Sequence, residues 1–199
     1  MVAKQSFLAN TPSTTSTVSG FAPTRSVLAK KSLDRVICQY KGKHQSNFFN
    51  LKQCEESAES CYHYLLEEKK ATDFTIINWL YEGMEVELSG EGVYQSASKD
   101  KIYFELDKNI ELSVITRFDG LQSNIGEKGK QYLVFSASSH STSTRVHFLL
   151  ESSKINVINP KLKGLAKHTK VKVSGYTKGI HSVSGHQYVE LISNVKIEL

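Results

Sequence analysis

The sequence predicts a mainly β protein in which residues 83–199 close into a small antiparallel barrel. Three observations carry that prediction. Residues 84–90 and 169–175 alternate apolar and polar side chains with the period of two of a half-buried strand. Four more apolar runs lie between them, at 101–106, 110–115, 131–137 and 145–150, separated by Ser, Gly, Asp and Asn breaks. One short helix at most fits among these runs, and many short strands with little helix make a barrel or a sandwich.

The segments before the barrel read differently. Residues 1–32 hold the run Asn10-Thr11-Pro12-Ser13-Thr14-Thr15-Ser16-Thr17, too polar to offset its ordering entropy, and are expected to be a disordered arm. Its Ser/Thr-rich, acid-free composition also describes an organelle transit peptide, against which stand only four basic residues. Residues 33–82 are expected to form a strand at Val36-Ile37-Cys38-Gln39-Tyr40 and then a helical segment. Leu51, Cys54, Ala58, Cys61 and Leu65 follow the three-to-four spacing of one buried helical stripe, with Asn50 as the cap and Lys69 and Lys70 at the close. A second short helix over 73–81 would pack on the barrel as a lid.

Residues 84–114 superpose on residues 169–199 without gaps at a shift of 85. Ser89-Gly90 falls on Ser174-Gly175, Tyr103 on Tyr188, Glu105-Leu106 on Glu190-Leu191 and Asn109 on Asn194. A looser third copy is read at 132–136 and 146–158. Between the two main copies the charges reverse: Glu85, Glu87 and Glu111 become Lys170, Lys172 and Lys196, at positions that the pleat turns outward. Either these faces pair with each other, or the basic copy alone meets a polyanion. Exposed ion pairs contribute only about 0–1 kcal/mol each, which tilts the reading toward the second.

The pattern Gly-x-x-Val-x-Leu-Ser-Gly, Tyr-Phe-Glu-Leu and Ile-x-Leu-x-Val-Ile resembles the opening strands of an OB-fold. Leu162-Lys163-Gly164-Leu165 before Lys170-Val171-Lys172-Val173-Ser174-Gly175-Tyr176, with Tyr188-Val189-Glu190-Leu191 after, is similar to the closing strands of the tRNA-anticodon-type family. The resemblance covers about residues 83–117 and 160–199. Residues 118–159 depart from it by two extra strands, read as an insertion. What the resemblance implies is a single-stranded DNA or RNA ligand.

Such binding needs cations for phosphates and ring faces for bases. The last hairpin carries Lys170, Lys172 and Lys178 with Tyr176, His181, His186 and Tyr188, and Arg117 and Phe118 end a neighbouring strand. Ordinary half-buried strand residues are the competing account of the tyrosines. Charge is asymmetric: +6 over residues 1–46, −6 over 47–159 and +5 over 160–199. Basic ends suggest a polyanion partner, with Arg25, Lys30, Lys31, Arg35, Lys41 and Lys43 adding non-specific phosphate contacts. The rival is a protein–protein adaptor, or a second copy of the chain, using the acidic middle and the helices; a third reading is a DNA-processing subunit.

Other classes find little in the sequence. No phosphate-cradling glycine loop and no HExxH motif occurs, so catalysis, metal and cofactor are not expected. Cys54 and Cys61 on a helix would stand about 10 Å apart, too far for neighbouring zinc ligands, and are read as core thiols. Three cysteines suggest no disulfide framework and a cytoplasmic, intracellular setting. No apolar run of about 18 residues occurs, so no membrane partner is expected.

Overall fold

The computed structural model describes residues 27–45, 47–54, 61–98 and 101–199, with side chains at 30–45, 47–54, 61–94 and 101–199. Nine strands make up the described chain: β1 (Val27–His44), β2 (Phe48–Cys54), β3 (Cys61–Glu67), β4 (Glu85–Ser98), β5 (Lys101–Ser123), β6 (Gln131–Ser138), β7 (Arg145–Glu151), β8 (Lys170–Val183) and β9 (His186–Glu198). Helix is limited to short pieces, including α1 (Ile155–Ile158) and 3-10 turns at Glu68–Lys70 and Thr75–Trp79.

The strands run side by side in the order β3-β2-β1-β4-β5-β6-β7-β9-β8, and pairings of β3 with β5 and of β5 with β8 close that row twice. Two rings result, β1 to β5 and β5 to β9, which share the long strand β5. In each ring the third and last strands pair in parallel, β3 with β5 and β7 with β9, and every other pairing is antiparallel. That is the connectivity of a five-stranded Greek-key barrel of OB type, used twice. The mainly β class stands, but the rings are two where one barrel was expected.

Matching the pairings shows a repeat through the whole described chain. Val36, Ile37, Tyr40 and Gly42 precede Val114, Ile115, Phe118 and Gly120 by 78 residues. His63, Leu65, Leu66, Glu67 and Lys70 precede His147, Leu149, Leu150, Glu151 and Lys154 by 84. The hairpin β4–β5 precedes β8–β9 by 85. Residues 132–136 and 146–151 therefore match β2 and β3 and are no third copy of the hairpin. Residues 118–159, expected as an insertion, supply β6, β7 and the connecting turns of the second ring.

Backbone geometry explains the identities in the hairpin. Gly90 and Gly175 have φ of +151° and +136°, and a Cβ on either would press on the strand opposite, at 3.2 Å from the Lys108 carbonyl and 3.0 Å from the Ser193 carbonyl. Asn109 and Asn194 beside them have φ of 50° and 48°, the left-handed region that asparagine tolerates. Pairing register shifts at the same places, so each glycine–asparagine couple is a bulge that bends the hairpin.

Where a helix was expected over 50–70, the described residues are strand through Cys54 and again over Cys61–Glu67, followed by the turn Glu68–Lys70. Phe49 and Leu51 of β2 and Tyr64 and Leu66 of β3 join the core with period two, and Leu65 between the last two is buried outside that core. Cys54 and Cys61 face each other across the hairpin and form a disulfide, which replaces the reading as helix-borne core thiols; Cys38 is the buried free thiol. The arm expected to be disordered through residue 32 is strand from Val27 on, while residues 1–26, with Lys4 and Arg25, lie outside the described residues. One contiguous core runs through both rings, with Tyr64, Leu66, Phe104 and Leu106 in the first matched by Phe148, Leu150, Val189 and Leu191 in the second.

A joint fixes the rings to each other. Trp79 donates its indole N–H to Thr177 Oγ1 at 2.9 Å, the Thr177 amide donates to Thr75 Oγ1 at 2.7 Å, and Tyr176 donates to Asp73 at 2.9 Å. Gly179 leaves room for the Trp79 ring, which a Cβ there would meet at 2.4 Å. The 74–79 segment is thus spent within the molecule and is not the exposed apolar patch that an adaptor would need.

Candidate nucleic-acid interface

The pleat places alternate residues of β2, β3 and β5 on the outer face of the first ring. Lys52, His63 and Tyr103 form one row across these strands, each paired in register with the next. The row beside it is Cys54, Cys61 and Lys101. His63 and His44 both lie against the Tyr103 ring, with centroids 5.1 and 5.4 Å away. Asn50 holds His63 Nδ1 at 3.2 Å. Burial holds the His63 pKa below the ordinary histidine value, and the charges of Lys52 and Lys101 lower it further. Neutral imidazole is therefore favoured beside Lys52 and Lys101. Among the described residues, neither lysine forms a salt bridge.

The same rows recur on the second ring with different chemistry. Ser136, His147, Tyr188 and His181 stand in register across β6, β7, β9 and β8, and Ser138, Arg145 and His186 form the row beside them. Tyr188 stacks between His147 at 4.7 Å and His181 at 4.4 Å. Ser136 Oγ donates its one proton to Asp119, so the contact to His147 Nδ1 at 2.7 Å must be donated by the imidazole. His147 Nε2 is then the acceptor at 2.8 Å from His186 Nδ1, whose N–H donates. Burial and the adjacent His186 push the His147 pKa down to about 4, with the Asp119 carboxylate opposing. A nucleophilic triad needs the histidine to accept from the serine; here the serine proton goes to the aspartate.

The second face is also partly covered. Tyr132, Val134 and Leu149 lie buried on its outside, with Ile125, Ile180 and Tyr188 packed over them. The turn between β5 and β6 does this: the Tyr132 hydroxyl accepts from the Glu127 amide at 3.2 Å, and Gly126 lies against the Tyr132 ring. In sequence β1 and β2 of the first ring are separated by residues 45–47, and β5 and β6 of the second by 124–130.

The sequence-predicted site residues separate into groups. Tyr188, His186 and His181 do share one face. Lys178 is exposed next to it, at the pairing position of Glu190. Tyr176 is held in the joint by Asp73. Lys172 lies 2.9 Å from Glu87 and 3.5 Å from Glu198, and Lys170 lies 3.7 Å from Glu85. Lys196 and Glu111 pair likewise at 3.2 Å. The reversed charges thus meet each other, Glu85 and Glu87 with Lys170 and Lys172 across β5 and Glu111 with Lys196 across β8, each lysine facing its own repeat equivalent, and do not form a free basic face. Arg117 is exposed, with one N–H on the His168 carbonyl at 3.3 Å. Phe118 is buried against Phe135 and serves the core, because its equivalent Tyr40 also points inward. Of the expected basic arm, Arg35, Lys41 and Lys43 pair with Glu198, Glu82 and Glu68. Lys30 and Lys31 are exposed, with the Lys31 ammonium 5.7 Å from the Tyr94 ring centre.

Lys52, His63, Lys101 and His44 were not among the sequence-predicted site residues. A signal for His63 was present as the repeat of Tyr62-His63-Tyr64-Leu65-Leu66-Glu67 in Val146-His147-Phe148-Leu149-Leu150-Glu151, hidden by the helical reading of 50–70.

No protein-family model matches the chain, and no curated protein matches it. Among solved structures, it is similar to one described as "Structural mimicry for functional antagonism" at 8% identity, covering 90% of this chain and 98% of that one, with a TM-score of 0.29. It is also similar to the Ifi202 HINa domain in complex with 20bp dsDNA, at 8% identity over 85% and 98% of the two chains and a TM-score of 0.27. A murine DNA binding protein bound with ds DNA aligns at 7% identity over 83% and 98%, with a TM-score of 0.25. Two of these neighbours are thus nucleic-acid-binding proteins held with duplex DNA.

Proposed function

We propose that the chain binds single-stranded nucleic acid, without catalysis, through the outer face of its first ring. The observation that carries this is the row Lys52, His63 and Tyr103 with Lys101 and His44 beside it. Ring faces offer stacking to bases, worth about 1–3 kcal/mol each, and the two lysines offer charge to the phosphates that connect them. Stacking of this kind requires unpaired bases, because duplex bases keep their faces on each other.

The test is fluorescence anisotropy of labelled oligo-dT and oligo-U with the intact chain at about 50 and 200 mM salt, with a duplex as comparator. Binding that is strongest for the single strands and weakens at the higher salt is expected. No anisotropy change at micromolar protein in the lower salt would reject the proposal.

A further inference from the structure

Where the two rings diverge, four strands leave a cavity of about 220 Å³ lined by polar and apolar groups alike. Its walls include Glu85 of β4, Arg117 of β5, Ser138 of β6 and Lys170 of β8, with His140 from the following turn. Ligand pockets for whole cofactors run to about 300–1,000 Å³, so this one has room for a single compact group. Its donors are of one kind. Arg117 commits one N–H to the His168 carbonyl and keeps the rest of its fork. Ser138 Oγ accepts from Arg145 Nε at 3.2 Å, which leaves its own proton to donate. The Lys170 ammonium is held loosely, 3.7 Å from Glu85. A guanidinium fork, an ammonium and a hydroxyl converging on a small cavity match the oxygens of a tetrahedral anion.

We propose that this junction cavity is a binding site for one phosphate group, held by Arg117, Lys170 and Ser138, with Glu85 acting against it. The site is formed by strands of both rings and stands apart from the Lys52–His63–Tyr103 face, so it does not rest on the nucleic-acid reading. The phosphate can come from the free anion or from a strand of nucleic acid.

Inorganic phosphate titrated into the intact, isotopically labelled chain at constant ionic strength, followed by amide shifts, tests the site. Saturable shifts at residues 115–117 and 136–138 are expected. Arg117→Gln should weaken the phosphate affinity about tenfold or more, and Glu85→Gln should tighten it roughly two- to fivefold. Opposite signs from two neighbouring substitutions cannot come from general loss of folding. Shifts that merely follow ionic strength, or an Arg117→Gln affinity equal to the parent's, would overturn the proposal. A parallel titration with an oligonucleotide separates the two claims: phosphate binding without oligonucleotide binding removes only the function proposed above, and the reverse removes only this site. Tighter binding of a 5′-phosphorylated oligonucleotide than its unphosphorylated form would assign the phosphate to a strand end, and equal binding with phosphate saturation intact would assign it to the free anion.

Discussion

The two rings of this protein are built from one pattern and end with different faces. On the first ring the central row is Lys52, His63 and Tyr103, flanked by Lys101. On the second, the matching row is Ser136, His147 and Tyr188, flanked by His186. Lys52 and Lys101 are replaced on the second ring by Ser136 and His186, which join a hydrogen-bonded chain ending at Asp119. The longer β5–β6 turn then lies over the neighbouring apolar positions. Inward-facing side chains are held in common, which is what a shared core demands, and the outward His63 and Tyr103 recur as His147 and Tyr188, but the residues beside them do not recur. Outward positions are free to differ, and there one ring keeps open charge while the other is closed upon itself.

The largest effect should come from stripping the open face. Tyr103→Ala combined with Lys52→Glu and Lys101→Glu is expected to lower oligonucleotide affinity about 100-fold or more, since it removes a stacking ring and reverses two charges. Tyr188→Ala should change it by no more than about threefold, and anisotropy titrations read both. Equal losses from the two would erase the functional difference between the rings.

The closed face should show itself through acid. His147 is buried and its folded pKa lies near 4, below the ordinary value of 6.5, so the unfolded chain binds more protons between those limits. Stability is therefore full above about pH 6.5 and falls as pH drops toward 4, by up to about 3 kcal/mol from this group. Urea unfolding of the parent and of His147→Phe across that window measures it, and the variant should lose most of the slope. His63 is shifted in the same direction, so the variant retains the slope that the first ring contributes.

The third difference is the hairpin tip. Cys54–Cys61 closes the first ring's β2–β3 hairpin, where the second ring has the Ser138–Arg145 hydrogen bond. Cys54→Ser with Cys61→Ser should destabilise the chain by about 2–3 kcal/mol, the contribution expected for so short a loop. Ser138→Ala should shift the unfolding midpoint by less than about 1 kcal/mol. The smallest effect on binding belongs to Lys172→Glu. It would break the pairs with Glu87 and Glu198 and lower stability, yet leave oligonucleotide affinity within about twofold.

The sequence showed the second ring's last two strands clearly because their alternation is clean and their bulge needs Gly and Asn at fixed places. The first ring was hidden for a physical reason. Cys54, Cys61 and Leu65 stand at spacings that satisfy a helical stripe as well as two strands, and only pairing with β1 and β5 decides between them. Tyr188, His186 and His181 were found as a cluster, since rings flanking one turn must converge. The charge of that face was misjudged: Lys170 and Lys172 look free along the chain, but β4 and β8 pair with the same stretch of β5, which brings Glu85 and Glu87 to them. Nothing in local sequence reports a neighbour 85 residues away, although the reversal of sign between repeats did mark these positions as a pair.

The central claim is that the open face of the first ring is where a strand lies. Photo-cross-linking of a 5-bromouracil-substituted oligonucleotide to the intact chain, with the modified peptides identified by mass spectrometry, tests it most directly. Cross-links at His63 and Tyr103 are predicted. Cross-links confined to residues 176–188 of the second ring would contradict it.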